Sequence, residues 1–157
     1  MQFVASDFVA KAIEIAACMH AGQVDRAGKP YILHPQWVSS RAQDLAAYDP
    51  VVDPLVVSAV SWLHDVVEDT AETRESLIRA GIPSDIADLV LVLTKKPGEA
   101  YSDYIIRLCQ GGPVVRWVKL ADLEHNIQVL RLKPGKLSAK DVDRLERYQL
   151  AHDVLLR

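Results

Sequence analysis

Four ionisable side chains interrupt an otherwise apolar run over residues 54–69, and they are His64, Asp65, Glu68 and Asp69. At about 100° per residue of an α-helix, they fall on one side of the predicted helix. Burying unpaired carboxylates costs several kcal/mol. Residues 42–73 contain seven acidic residues and no lysine or arginine that could neutralise them. The pattern therefore indicates a bound metal ion; the alternative is a solvated helix end with its acids in water.

Two further polar positions could complete such a site. His34 ends a glycine- and proline-containing loop, and the Pro35 that follows predicts that His34 lies outside a helix. Asp122 flanks the apolar stripe of a later helix, with Asn126 one turn on and Lys119 three residues before it. The competing interpretations are that His34 bonds the backbone at a helix entry and that Asp122 only pairs with Lys119.

Two histidines and two aspartates provide mixed nitrogen and oxygen ligands. Such a set suits a divalent ion such as Mn²⁺, Fe²⁺, Co²⁺ or Zn²⁺. Four protein ligands leave coordination positions open for water and a phosphate oxygen. Glu68 and Asp69 would lie beside the ion, where a general base for water belongs. The chemistry expected from these residues is metal-assisted phosphoryl hydrolysis.

Helix-start and helix-stop residues divide the chain into about seven or eight helices, which predicts the all-α class. The first helix is expected over 7–20 with Ser6 as its cap, and a loop over 20–35. The helix that begins at Pro54 is expected to continue through the acidic positions. Other expected starts are Thr73, Ser84, Pro113 and Ser138, and expected ends are Gly81, Gly111 and Pro134.

Composition narrows the class of protein. The 157 residues are 50% hydrophobic and 25% charged with a net charge of −3, which is typical of one globular domain over 1–157. The absence of a basic block argues against nucleic-acid binding, and no apolar stretch reaches the about 20 residues of a membrane span. Asp7, Lys11 and Glu14 argue against a signal peptide. Cys18 and Cys109 form no disulfide framework, which favours a reduced, cytoplasmic compartment.

Several segments together resemble the HD metal-dependent phosphohydrolase superfamily. The closer similarity is to the hydrolase domain of the RelA/SpoT family, which degrades guanosine tetra- and pentaphosphate alarmones, and to its single-domain small hydrolases. The matching segments are HAGQVDRAGKPYILHP (20–35), WLHDVVEDT (62–70), LTKK (93–96), VKLADLEHN (118–126) and, more weakly, RYQLAH (147–152). The resemblance implies an HD-domain helical bundle and, because the chain stops at residue 157, no synthetase activity.

The resemblance also implies roles for individual residues. It implies Mn²⁺ as the ion, with the ligands His34, His64, Asp65 and Asp122. It implies a catalytic acid pair, Glu68 and Asp69. It implies substrate contacts from Arg26, Asn126 and Tyr148.

One loop departs from the family pattern. Where the family has a first basic residue that faces the nucleotide, this chain has Asp25, and Arg26 follows at the second basic position. Asp25 would repel a polyanionic substrate. The competing interpretation is that Asp25 caps the tight turn at Ala27-Gly28 while Arg26 replaces the missing cation.

The resemblance implies an enzyme that removes pyrophosphate from the 3′ position of a guanosine alarmone, giving GDP or GTP. A rival interpretation keeps the site and changes the substrate to a dNTP, a nucleoside monophosphate or NADPH, which Asp25 favours. A third is a nucleotide-sensing module without turnover, against which Glu68 and Asp69 argue. The expected partner is a small nucleotide rather than a nucleic acid or a membrane, and the oligomeric state stays open.

Overall fold

A computed structural model describes residues 7–157, which fold into helices joined by short loops without a β-strand in that range. Eight helices have six residues or more, and a ninth is a single turn. In chain order they are α1 (Asp7–Met19), α2 (Leu33–Ala46), α3 (Pro54–Leu63), α4 (Val66–Asp69), α5 (Arg74–Arg79), α6 (Ser84–Leu93), α7 (Tyr101–Cys109), α8 (Pro113–Leu132) and α9 (Ala139–Leu156). The predicted all-α class with about seven or eight helices is confirmed.

Capping side chains explain where several helices begin. Three of them accept a hydrogen bond from a backbone N–H in the first helical turn: Asp53 before α3, Thr73 before α5 and Ser138 before α9. Such contacts satisfy N–H groups that have no partner within the helix. These starts match the sequence prediction because capping depends on neighbouring residues only. The predicted cap Ser6 lies outside the described residues.

Helix α3 is the centre of the bundle and packs against α1, α2, α6 and α8. Val57, Val60 and Leu63 have no exposed surface. The buried hydroxyl of Ser58 bonds Ser39 of α2 at 3.0 Å, and that of Ser61 donates to a backbone carbonyl of its own helix. Because α3 is buried, its C-terminal end lies in the protein interior, together with the His64-Asp65 pair that follows it.

Helix α2 begins earlier than the sequence indicated. It starts at Leu33, so His34 and Pro35 both lie in its first turn, and the prediction that Pro35 keeps His34 out of a helix is wrong. The first helical turn tolerates proline because its N–H groups have no partner within the helix. The restriction that proline places on its predecessor is a bias rather than a prohibition.

The predicted continuous helix from Pro54 through the acidic positions is also wrong. Helix α3 ends at Leu63, His64 and Asp65 form a turn, and α4 follows as one helical turn. Asp65 has φ −104° and ψ −6°, away from ideal helical values. In a regular helix neighbouring side chains diverge by about 100°. The turn instead lets His64 and Asp65 face the same point.

No helix among residues 7–157 is both long and apolar enough to cross a lipid bilayer.

We expect Leu63→Ala to lower the free energy of unfolding by about 2–5 kcal/mol, because it leaves a cavity beside the turn at His64. Urea denaturation followed by circular dichroism measures this. The matched control is Leu150→Ala on α9, where the leucine is 65% exposed and the expected change is under about 0.5 kcal/mol. A loss below about 1 kcal/mol for Leu63→Ala would contradict the central placement of α3.

Candidate metal centre and active-site cavity

Four side chains from three parts of the chain converge on one point. His34 comes from the first turn of α2, His64 and Asp65 from the turn after α3, and Asp122 from the middle of α8. One potential ligand atom from each lies within 4.8 Å of all the others. The packing of α2 against both α3 and α8 brings these residues together.

The donor atoms face one another at short range. Nε2 of His34 lies 3.1 Å from Nε2 of His64 and 3.1 Å from Oδ1 of Asp122. Oδ2 of Asp65 lies 3.1 Å from Nε2 of His64. His34, His64 and Asp122 are buried, whereas the side chain of Asp65 is 22% exposed toward a cavity.

The hydrogen bonds behind the histidines fit a metal centre. Nδ1 of His64 lies 2.6 Å from the backbone carbonyl of Ser61; a carbonyl only accepts, so Nδ1 carries a proton, and in the neutral ring Nε2 presents a lone pair. Nδ1 of His34 lies 2.7 Å from Nδ1 of His125, and when it donates there its Nε2 also presents a lone pair. Two facing lone pairs repel unless a cation lies between them. Metal-binding histidines commonly have this arrangement of outer partners.

The pKa directions of the four cluster residues also fit a site for a cation. Burial opposes the charged form of His34 and His64, but the aspartates outweigh it and raise the pKa of both imidazoles. Burial likewise disfavours charge on the two aspartates, yet Lys119 and the histidines hold the pKa of Asp122 well below its usual range, and the histidines do so for Asp65. The site therefore stabilises positive charge, which protons or a divalent ion can supply.

The cluster opens into a cavity of about 810 Å³. The other site residues predicted from the sequence all line it, namely Arg26, Glu68, Asp69, Asn126 and Tyr148. Oε2 of Glu68 accepts a hydrogen bond from the backbone N–H of Lys95 at 3.0 Å. Burial, together with the negative charges of Asp65 and Glu68, raises the pKa of Asp69 to about 6. The two acids thus share the cavity with the cluster but have different surroundings.

Two side chains hold Asp122 from outside the cluster. Nζ of Lys119 lies 2.7 Å from Oδ2, and Nδ2 of Asn126 donates to Oδ1 at 2.6 Å. Asp122 thus pairs with Lys119, but it does not only do so, because its other oxygen faces both histidines of the cluster. Asn126 lines the cavity while its amide is also engaged with the cluster.

The loop between α1 and α2 uses Asp25 as a turn cap. Its Oδ1 accepts from the backbone N–H groups of Ala27 at 2.8 Å and Lys29 at 2.9 Å. The capping interpretation of Asp25 is therefore supported, and Arg26 beside it lines the cavity. Asp25 also lines the cavity, so its negative charge still faces whatever binds there.

Sequence reasoning missed several cavity residues, chiefly Tyr31, Lys95, Tyr101, Tyr104 and Arg147. Tyr31 lies three residues before His34, inside the segment 20–35 that carries part of the resemblance. Burial and the adjacent Asp65 carboxylate raise the pKa of the Tyr31 phenol far above its ordinary value, so it stays protonated. The other four come from α7, α9 and the loop after α6, and no spacing relates them to the His-Asp pair.

The chain is similar to bacterial proteins over most of its length. It is 35% identical over 153 residues to a GTP pyrophosphokinase of Streptomyces coelicolor, which covers 92% of this chain and 17% of that protein. It is 33% identical over 151 residues to the guanosine-3′,5′-bis(diphosphate) 3′-pyrophosphohydrolase of Haemophilus influenzae, which covers 88% and 21%. The chain thus spans about a fifth of the length of these curated relatives. No family model matches it.

A solved structure shares the fold. It is described as a metazoan ortholog of SpoT that hydrolyzes ppGpp, and it superposes with a TM-score of 0.79 over 100% of this chain and 89% of its own, at 22% identity. The fold is therefore an all-α helical bundle like that of this metazoan protein. The similarity to the bacterial pyrophosphohydrolase of Haemophilus influenzae confirms the resemblance to RelA/SpoT-type proteins that the motifs predicted.

We expect His64→Ala to weaken Mn²⁺ binding by more than about 100-fold, because it removes a ligand rather than an outer partner, whose loss costs about 10–100-fold. Protein stripped with EDTA and titrated with Mn²⁺, with free ion read by electron paramagnetic resonance, measures this. The control is His152→Ala, whose imidazole pairs with Glu124 on another surface. Equal affinity in His64→Ala and the unaltered protein would contradict the assignment.

Proposed function

We propose that this domain is a manganese-dependent hydrolase that removes pyrophosphate from the 3′ position of guanosine tetra- or pentaphosphate, giving GDP or GTP. The observation that carries the proposal is the buried cluster of His34, His64, Asp65 and Asp122, which opens into a cavity holding two further acids. The name of the Haemophilus influenzae relative and the description of the metazoan protein support this substrate. The Streptomyces coelicolor relative is named for the synthetic activity, but this chain matches only 17% of its length.

The ligand set supports Mn²⁺ over softer ions. It contains no cysteine and two carboxylates, and oxygen and imidazole donors suit hard-to-borderline divalent ions. The proposed unit is a single hydrolase domain over 1–157, acting in the cytoplasm on a small nucleotide. Its free cysteines, Cys18 and Cys109, are consistent with a reducing compartment.

When bound, the ion supplies positive charge to phosphate oxygens and lowers the pKa of water. In the proposed reaction the oxygen of water forms a bond to the phosphorus attached to the 3′ oxygen. The bond between that phosphorus and the 3′ oxygen breaks, pyrophosphate leaves, and the 3′ oxygen takes a proton. The two cavity acids, Glu68 and Asp69, have different roles. One takes the proton from water, while the other orients the water or protonates the leaving oxygen.

The surroundings of the two acids support this division. Glu68 is fixed by the N–H of Lys95, which holds its carboxylate in one direction. Asp69 has a pKa raised to about 6, so it exchanges protons more readily near neutral pH than an ordinary aspartate. A nucleotide sensor without turnover would have no use for this pair, and the enzyme is therefore the better interpretation.

We expect Glu68→Gln and Asp69→Asn each to lower kcat by about 10²–10⁴-fold, the usual cost of losing a general acid or base, while Mn²⁺ binding stays near normal. Nucleotide chromatography of guanosine tetraphosphate hydrolysis gives the rate, and a Mn²⁺ titration gives the affinity. Asp103→Asn, an exposed site in the first turn of α7, serves as the control. Near-normal rates in both variants would exclude the proton-transfer role, and loss of metal would make the acids ligands.

Substitutions at Asp25 and Arg26 test how the loop between α1 and α2 contacts the substrate. We expect Arg26→Ala to raise KM for guanosine tetraphosphate by about 10–100-fold, the value of a charged hydrogen bond, with little change in kcat. Asp25→Asn keeps an oxygen that can cap the turn and removes the charge. It should therefore lower KM several-fold, since like charges at 4 Å cost about 1 kcal/mol even in water.

The same two variants discriminate between nucleotide substrates. The negative charge of Asp25 at the cavity wall is the feature that favours a nucleotide with fewer phosphates. A panel containing a dNTP, a nucleoside monophosphate and NADPH should be cleaved more slowly than guanosine tetraphosphate. If both variants leave guanosine tetraphosphate unaffected and alter hydrolysis of another nucleotide, that nucleotide is the substrate.

A further inference from the structure

Tyr31 joins the loop before α2 to the acid that follows α3. Its hydroxyl lies 2.5 Å from Oδ2 of Asp65, a residue 34 positions further along the chain. The ring contacts two imidazoles, with its centroid 4.9 Å from that of His20 and 5.4 Å from that of His34. These two ring contacts restrict the direction of the hydroxyl.

The oxygen that Tyr31 bonds is the one that faces the cluster. Oδ2 of Asp65 lies 3.1 Å from Nε2 of His64 and 3.4 Å from Nε2 of His34. A carboxylate only accepts hydrogen bonds, so the phenol is the donor. A carboxylate oxygen has two lone pairs, and a bond from Tyr31 on one side leaves the other directed at the centre of the cluster.

Asp65 depends on this contact more than the second aspartate does. Asp122 is held by Lys119 and Asn126. For Asp65, among residues 7–157, Tyr31 is the one side-chain hydrogen-bond partner outside the cluster. Asp65 is also the more exposed of the two, at 22% against 5% for Asp122. Without Tyr31 its carboxylate could rotate toward the cavity.

The backbone of Tyr31 reaches a second member of the cluster. Its carbonyl accepts from the N–H of His34 at 2.8 Å, and its own N–H donates to the carbonyl of Gln23 at 2.8 Å. One residue therefore ties the loop to the start of α2 through its main chain and to Asp65 through its side chain.

We propose that Tyr31 is a positioning residue of the metal centre, whose hydroxyl holds the Asp65 carboxylate with Oδ2 directed at the ion. This inference rests on the proposed function, since it takes the cluster to bind a divalent metal. Tyr31 would act through Asp65 and is not itself one of the candidate ligands. Outer partners of this kind typically contribute about 10–100-fold to metal affinity.

Tyr31→Phe tests the proposal, because it removes one oxygen and keeps the ring against His20 and His34. We expect the metal-free variant to melt within a few degrees of the unaltered protein. Its dissociation constant for Mn²⁺ alone, measured by electron paramagnetic resonance on the full chain, should rise about 10–100-fold. Hydrolysis lost at low Mn²⁺ should return at high Mn²⁺, which a defect in folding would not allow.

The matched control is Tyr101→Phe. Tyr101 lines the same cavity, and its hydroxyl has no hydrogen-bond partner within the described part of the chain. Its Mn²⁺ affinity should stay unchanged. An equal loss of affinity in both variants would overturn the proposal, because the effect would belong to the cavity rather than to the Asp65 contact.

A double-mutant cycle shows whether Tyr31 acts through Asp65. Asp65→Ala removes the acceptor, and adding Tyr31→Phe to it should cause no further loss of Mn²⁺ affinity, since coupled residues are not additive. Additive losses would overturn the proposal, as would normal affinity in Tyr31→Phe alone. If the unaltered protein binds no divalent metal, the proposed function itself fails, and this result is distinct from the others.

Discussion

The structure depends on balancing the charge of two carboxylates that face two imidazoles inside a helical bundle. Their donor atoms lie within 4.8 Å, and Asp122 is almost wholly buried. In the low effective dielectric of a protein interior, like charges or facing lone pairs at such distances are strongly unfavourable. Protons or a divalent cation at this point would remove the conflict, and the surrounding contacts direct the donor atoms toward one another.

The fold meets that constraint through the centre of the bundle. Helix α3 is apolar on nearly all sides and therefore takes its C-terminal end into the interior. The turn at His64 and Asp65 then makes two adjacent residues face the same way. Fixed partners support the cluster from behind: Ser61 and His125 for the histidines, and charged or polar groups for the aspartates. These contacts orient the four side chains of the cluster.

The cavity beside the cluster is lined in part by elements that carry no member of the cluster. Its walls include the loop before α2, the loop after α6 and one side of α9. In that first loop Asp25 serves the turn while Arg26 lines the cavity. Asp25 and Arg26 thus face the cavity without being members of the cluster. A change at either of them is expected to alter substrate preference without removing a cluster residue.

The sequence by itself determined the all-α class, the starts of α3, α5 and α9, and the segments that relate this chain to the RelA/SpoT-type proteins. These features depend on neighbouring residues, because capping and helical periodicity act within one or two turns. Tertiary structure alone decided that His34 joins α2, that α3 ends at Leu63, and that Tyr31 bonds Asp65. Each of these follows from packing between segments distant in sequence. The energy of such contacts outweighs local preferences such as the bias before Pro35.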